Sequence, residues 1–243
     1  MPASIEGAGV PLAVEERGEG RPLLLIHDVA SDEADVASLA EALADRARVL
    51  TYDRRGYGGS GAPVPYEATT VHEQAEDAAC VLAQLAGEPA LVAGLGFGAL
   101  IALDLASRHA ERVGGLVLAD PPLHAFVAEA AEALSEERRL LEESLREGGP
   151  ELAVERWLGS GADAGRVARA RTAHRAFFAD LAGVTSWPVT RGTLRSLTGP
   201  AAIVISPEAP AHVRAAAEAL ATLLPQAARS DDGDVLAAAR ALL

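Results

Sequence analysis

The sequence predicts an α/β fold, a mostly parallel sheet flanked by helices on both faces and interrupted by a helical insertion. Two observations carry this. Apolar runs of strand length alternate with stretches whose apolar residues recur at helical spacing, and between residues 121 and 195 the strand-like runs stop and only helical text remains. Strands separated by helices pair in parallel, because each helix serves as the crossover and covers one face of the sheet.

The strand-like runs are VPLAVEE (10–16), PLLLIHD (22–28), RVLTYD (48–53), ALVAGLG (90–96), GLVLAD (115–120) and AAIVIS (201–206). Their helical neighbours are residues 32–47, 70–87, 98–113 and 210–226. The insertion reads as helices over 126–134, 136–148, 151–158 and 163–183. A core of residues 1–120 and 196–243 with a helical cap of residues 121–195 is therefore expected. In a sheet of this kind ligands bind at the carboxyl ends of the strands, where IHD, YDRRGYGGSG, GLGFG and ADPPLH fall.

Composition narrows the partners. All 21 basic residues are Arg, and 35 Asp and Glu give a formal net charge of −14. Nucleic acid and anionic membrane surfaces both require a basic footprint, so neither is expected. Cys80 is the only cysteine, which excludes an internal disulfide framework and a zinc cluster; its helical context marks it as a small core residue. The first residues, MPASIEGAGV, lack a basic and then apolar leader pattern, and the apolar run 91–103 is too short to span a bilayer, so a cytoplasmic protein is expected.

Three segments, in order, resemble the α/β-hydrolase superfamily over almost the whole chain. PLLLIHD is similar to that family's strand ending in His-Gly, RVLTYDRRGYGGSGAP to its Asp-x-Arg-Gly-x-Gly-x-Ser segment, and LVAGLGFGALIALDLASRHAERVGGLVLADPP to its elbow, helix and following strand. The resemblance implies an α/β-hydrolase fold with a helical cap inserted after strand 6, the strand that ends at Asp120. Hydrolytic members use a nucleophile, an acid and a histidine in that chain order, with an oxyanion hole of backbone amides.

This chain departs from the pattern at each of those places. The elbow Gly-x-Ser-x-Gly is Gly94-Leu95-Gly96-Phe97-Gly98, without a hydroxyl, and glycine tolerates the strained turn without its nucleophile. Pro210 stands where the acid is expected, with Glu208 nearby and Asp120 as the alternative acid position. Asp234 follows Gly233 where the histidine is expected; no histidine follows His212, whose place at a helix start makes it a poor replacement. The family's His-Gly is His27-Asp28, and an ionised Asp28 opposes an oxyanion unless it points away from the amides of Phe97 and Val29.

The candidate catalytic residues are accordingly Asp28, His124 and Asp120, as groups that move protons in a lidded pocket where burial raises a carboxyl pKa. Candidate substrate contacts are His27, Val29, Gly96, Phe97, Trp157 and Phe177. Tyr57 is assigned to packing, and His72, His109 and His174 receive no role. No phosphate-cradling or metal-ligand spacing is present, so neither cofactor nor metal is expected. The expected partner is a small apolar molecule, and a homodimer is compatible with the text. Three readings stay open: acid/base chemistry such as cyclisation, isomerisation or elimination on an apolar carbonyl metabolite; a fold kept as an inactive binding or interaction module; and a hydrolase with a displaced nucleophile or activated water.

Overall fold

The computed structural model describes residues 3–243. Its single sheet contains β1 (Ala3–Glu6), β2 (Pro11–Arg17), β3 (Pro22–Ile26), β4 (Arg48–Tyr52), β5 (Ala90–Leu95), β6 (Val113–Ala119), β7 (Ala201–Val204) and β8 (Ala227–Ser230). The spatial order is β1-β2-β4-β3-β5-β6-β7-β8; β1 and β2 run antiparallel to their neighbours and the rest pair in parallel. β3, with all five residues buried, reads as an unbroken apolar run because helices cover both of its faces. The two end strands, ASIE and AARS, are short and largely uncovered. Neither was expected from apolar runs, since an edge strand can form on ladder hydrogen bonds with little burial.

Strand residues alternate between two cores. Leu24, Ile26, Leu50, Val92 and Leu118 face the larger one, under α2 (Val71–Leu85), α3 (Phe97–Arg108) and α8 (Ala211–Leu223). Leu23, Leu25, Val49, Leu91 and Val117 face the smaller one, under α1 (Glu33–Leu43) and α9 (Val235–Leu242). Cys80, on α2, is only half-buried rather than a core residue.

The insertion between β6 and β7 forms α4 (Ala130–Leu158), α5 (Ala164–Thr172), α6 (His174–Ser186) and α7 (Arg191–Ser196). Three expected helices are one: α4 kinks at Gly149 (φ +80°), and Pro150 restarts it at a position where a missing N–H is tolerated. α4 begins at Ala130 rather than at residue 126, because Phe126 has a left-handed backbone (φ +71°). One expected helix over 163–183 is two, broken at Ala173 (ψ 20°). Cap residues Ala153, Val154, Phe177 and Val184 join the larger core, so the cap is packed onto the sheet side that also carries α2 and α3.

The sheet order puts the carboxyl ends of β3, β5, β6 and β7 side by side. Three residues there have positive φ: Ala30 (50°), Gly96 (53°) and Asp120 (44°). Two are non-glycine residues in a sparsely populated region, and such strain persists only where the surrounding structure holds it.

Candidate active site

β5 ends in the turn that starts α3, with Gly96 as the helix N-cap (φ 53°, ψ −119°) and its N–H donated to Ala119 O at 2.9 Å. Gly98 must also be glycine, because a Cβ there would lie 2.3 Å from the carbonyl oxygen of Ile26. The sharp turn aims the Phe97 N–H at the loop after β3. There it meets the side chain of Asp28, whose Oδ1 accepts from Phe97 N at 2.7 Å and from Val29 N at 2.7 Å.

These are the two amides that the family pattern assigns to an oxyanion. Asp28 therefore does not point away from them; its own carboxylate fills the hole. A Cβ on Gly96 would come within 2.0–2.3 Å of all three carboxyl atoms of Asp28. A side chain at position 96 and the Asp28 carboxylate thus compete for the same space.

Burial pushes the Asp28 carboxyl above its ordinary pKa, opposed by the two amide hydrogen bonds and, more weakly, by the charges of Arg54 and Arg166. Arg54 holds the loop in place. Its Nε donates to His27 O (3.1 Å), its guanidinium donates to Asp28 O (2.9 Å), and it forms a bidentate pair with Asp180 of α6 at 3.0 and 2.6 Å. Both members of that pair are fully buried, and Tyr57 Oη and Gln74 Nε2 also donate to Asp180. The cap thereby reaches the hole through Arg54.

Asp28, Val29, Gly96, Asp120, His124 and Trp157 line one cavity of about 430 Å³, whose other walls include Leu134, Leu181, Val184 and Val213. His27, Phe97 and Phe177 were expected to contact a ligand, but all three are fully buried and their side chains lie outside the cavity. His27 Nε2 accepts the Arg54 N–H at 2.9 Å, so its proton sits on Nδ1, which donates to Asp28 O at 2.9 Å. Burial, and then Arg54, hold its pKa well below the usual histidine value. Phe177 packs edge-on against Trp157 (centroids 5.2 Å apart), and Phe97 contributes its backbone N–H.

Asp120 is tied up: Ser206 N donates to it at 2.9 Å and the Ser206 hydroxyl makes a second, short bond. Asp234 caps α9 by accepting from Ala237 N at 2.8 Å, and Glu208 is exposed. A smaller space of about 240 Å³ is bordered by Asp28, Asp120, Arg166, Ser206 and Gly233.

His124 holds the far wall. Its Nδ1 is buried without a hydrogen-bond partner among the described residues, and burial and then the neighbouring His212 lower its pKa, leaving a neutral imidazole near pH 7. His212, set aside at the sequence level as the start of a helix, is the second residue of α8 and stands 6.2 Å from His124, centroid to centroid. It lines the same cavity, as does Glu137, which accepts from Trp157 Nε1 at 2.5 Å. No local pattern marks His212 or Glu137, because each reaches the site from a different helix.

Residues 21–144 match the family model described as alpha/beta hydrolase fold. The chain belongs to that family. This alpha/beta hydrolase is 34% identical over 120 residues to the uncharacterized hydrolase YraK of Bacillus subtilis (strain 168), covering 49% of this chain and 44% of that protein. It is 32% identical over 121 residues to epoxide hydrolase A of Mycobacterium tuberculosis, covering 49% of this chain and 38% of that protein. The chain thus matches less than half the length of these curated relatives. Across nearly the whole alpha/beta hydrolase chain, the structure of an alpha/beta hydrolase from Sphaerobacter thermophilus DSM 20745 superimposes with a TM-score of 0.74 at 26% identity, covering 97% of each chain. The enol-lactonase from Burkholderia xenovorans LB400 superimposes with a TM-score of 0.75 at 21% identity, covering 98% and 95%, a likeness of fold. Among the described residues no helix is long and apolar enough to cross a membrane and no metal-binding cluster of acidic, His or Cys side chains occurs.

Proposed function

We propose that this chain is an enzyme that moves protons on a small apolar carbonyl compound without hydrolysing it, by isomerisation, cyclisation or elimination. The observation that carries the reading is the Asp28 carboxylate in the hole, 2.7 Å from both amides. Acyl transfer needs that hole empty for an oxyanion, and it needs a nucleophile at position 96, where a side chain collides with Asp28. Proton transfer needs neither. A carboxyl with a raised pKa, fixed by two donors and facing an apolar cavity, is suited to take a proton from carbon and return it elsewhere. A cavity of about 430 Å³ suits a small ligand.

The test is to incubate metabolite extract of the source organism in D2O with the protein and with Asp28→Asn, and to read products by mass spectrometry. A compound that gains deuterium, isomerises or loses water with the native protein alone is the expected result. Gain of water overturns the reading. A compound bound but unchanged would leave an inactive binding module.

One observation favours a second reading, a displaced nucleophile: the Asp28 carboxylate stands beside the place an elbow side chain would take. In that case Asp28 displaces the leaving group of an electrophilic carbon, which departs with the electron pair of the broken bond, and water then cleaves the resulting ester to the alcohol and the Asp28 carboxylate. A mass increase on Asp28 during turnover, absent in Asp28→Asn, distinguishes it from proton transfer.

A further inference from the structure

The hydrogen-bond capacity of the cavity is lopsided. Each of its carboxylates already has donors: Asp28 has two amides, Asp120 has Ser206, and Glu137 has the Trp157 indole. The two imidazoles lie on the other side of β5, where His124 follows β6 and half-buried His212 belongs to α8, which follows β7. Among the described residues neither imidazole makes a side-chain hydrogen bond, and the His124 Nδ1 is buried. The first turn of α8 lines the same wall through Pro210, His212 and Val213, and no side chain caps it. A helix of 13 residues adds partial positive charge at that end.

We infer that the cavity receives negative charge at this second place, so that the ligand is an apolar ketone or 1,3-dicarbonyl whose oxygen sits between His124 and His212 while its acidic carbon faces Asp28. This rests on the reading of Asp28 as the proton-transfer group. The Asp28 carboxylate takes the proton from carbon, the C–H electron pair forms the carbon–carbon double bond, and the carbonyl π pair moves to oxygen. The resulting enolate oxygen accepts from the two imidazoles. With a β,γ-unsaturated ketone, proton return from Asp28 to the γ-carbon of the dienolate completes an isomerisation; with a β-leaving group, the enolate re-forms the carbonyl, expels that group with the proton from Asp28 and completes an elimination. With the original hole filled, this wall does for an enolate what backbone amides do for a tetrahedral intermediate. His124 and His212 therefore also select substrate, favouring molecules whose acidic C–H and carbonyl oxygen span the cavity.

The test uses 4-nitrophenol, whose ionised form is a coloured oxyanion on an apolar ring, with 4-nitroanisole as the neutral partner. The titratable groups that line the cavity are His124, His212, Glu137, Asp120 and Asp28. The expected result is saturable binding with an ionisation midpoint about one pH unit below that of free nitrophenol, a tenfold preference for the anion. His124→Gln and His212→Gln each reduce that displacement and the double variant abolishes it, with unchanged circular dichroism. A midpoint at or above the free value overturns the inference. So does a displacement that survives in a folded double variant, binding of nitroanisole as tight as that of nitrophenolate, or no saturable binding. If anion preference is present but deuterium is never incorporated from D2O, the reading of Asp28 fails and the anion site stands; incorporation without anion preference is the reverse.

Discussion

The carboxylate of Asp28 and any side chain at Gly96 exclude one another, because a Cβ at position 96 would stand 2.0–2.3 Å from the Asp28 carboxyl atoms. The loop after β3 and the turn after β5 therefore constrain one another's side chains. Four consequences can be measured.

Gly96→Ser alone is destabilising and produces no esterase. The residue has φ 53°, ψ −119°, a conformation that costs an ordinary side chain about 1–3 kcal/mol, and the collision adds to that. At about 2–4 °C per kcal/mol for a chain of this size, Tm falls by several degrees. Asp28→Gly with Gly96→Ser recovers part of the loss, a coupling expected of residues in contact. Nitrophenyl ester turnover stays at background in both, since among the described residues neither cavity histidine, His124 or His212, hydrogen-bonds a carboxylate that would make it a relay base; ester turnover in either variant would contradict this assignment.

Conversion of the natural substrate rises with pH. Burial raises the Asp28 pKa, and only the carboxylate accepts a proton, so the rate climbs through a midpoint above the ordinary aspartate value. Stability runs the other way: a carboxyl raised in the folded state contributes fully below its unfolded pKa, and that contribution is lost as pH rises through the folded value. Asp28→Asn therefore gains stability relative to the native chain from acid to neutral pH. Urea melts at several pH values check the trend, and a constant difference would refute it.

Asp180→Ala is far more damaging than its distance from the cavity suggests. It leaves Arg54 charged and unpaired in a fully buried position, a loss of about 3–5 kcal/mol. Arg54 also holds the carbonyls of His27 and Asp28, so the variant loses ligand binding along with stability. Denaturant titration with binding of 4-nitrophenol reads both.

Arg169→Ala, by contrast, changes stability by no more than about 1 kcal/mol. Arg169 links α5 to Asp32 and Asp35 but is 41% exposed, so solvent and salt screen the contacts. Raising the salt concentration should shrink the difference between this variant and the native chain.

Much of this was legible in the chain itself. The order of strands and helices, the insertion after Asp120, the elbow without a hydroxyl and the carboxylate after His27 are local patterns, and the alternation Leu23 to Ile26 already carries both cores. Local periodicity records how a segment is covered; it does not record which segments meet. That is why the short edge strands Ala3–Glu6 and Ala227–Ser230, with little burial, were missed.

What the sequence by itself determined is therefore the class of fold and the presence of glycine at position 96 of the elbow. Only the tertiary structure decided which groups meet at the strand ends. Asp28 turns into the hole because Gly96 leaves the space and two amides supply the donors. Arg54 finds Asp180 across 126 residues, and His124 finds His212 from another helix. The physical reason is that sheet order, not sequence distance, brings the ends of β3, β5, β6 and β7 together, and burial there sets which charges and lone pairs remain free for a ligand.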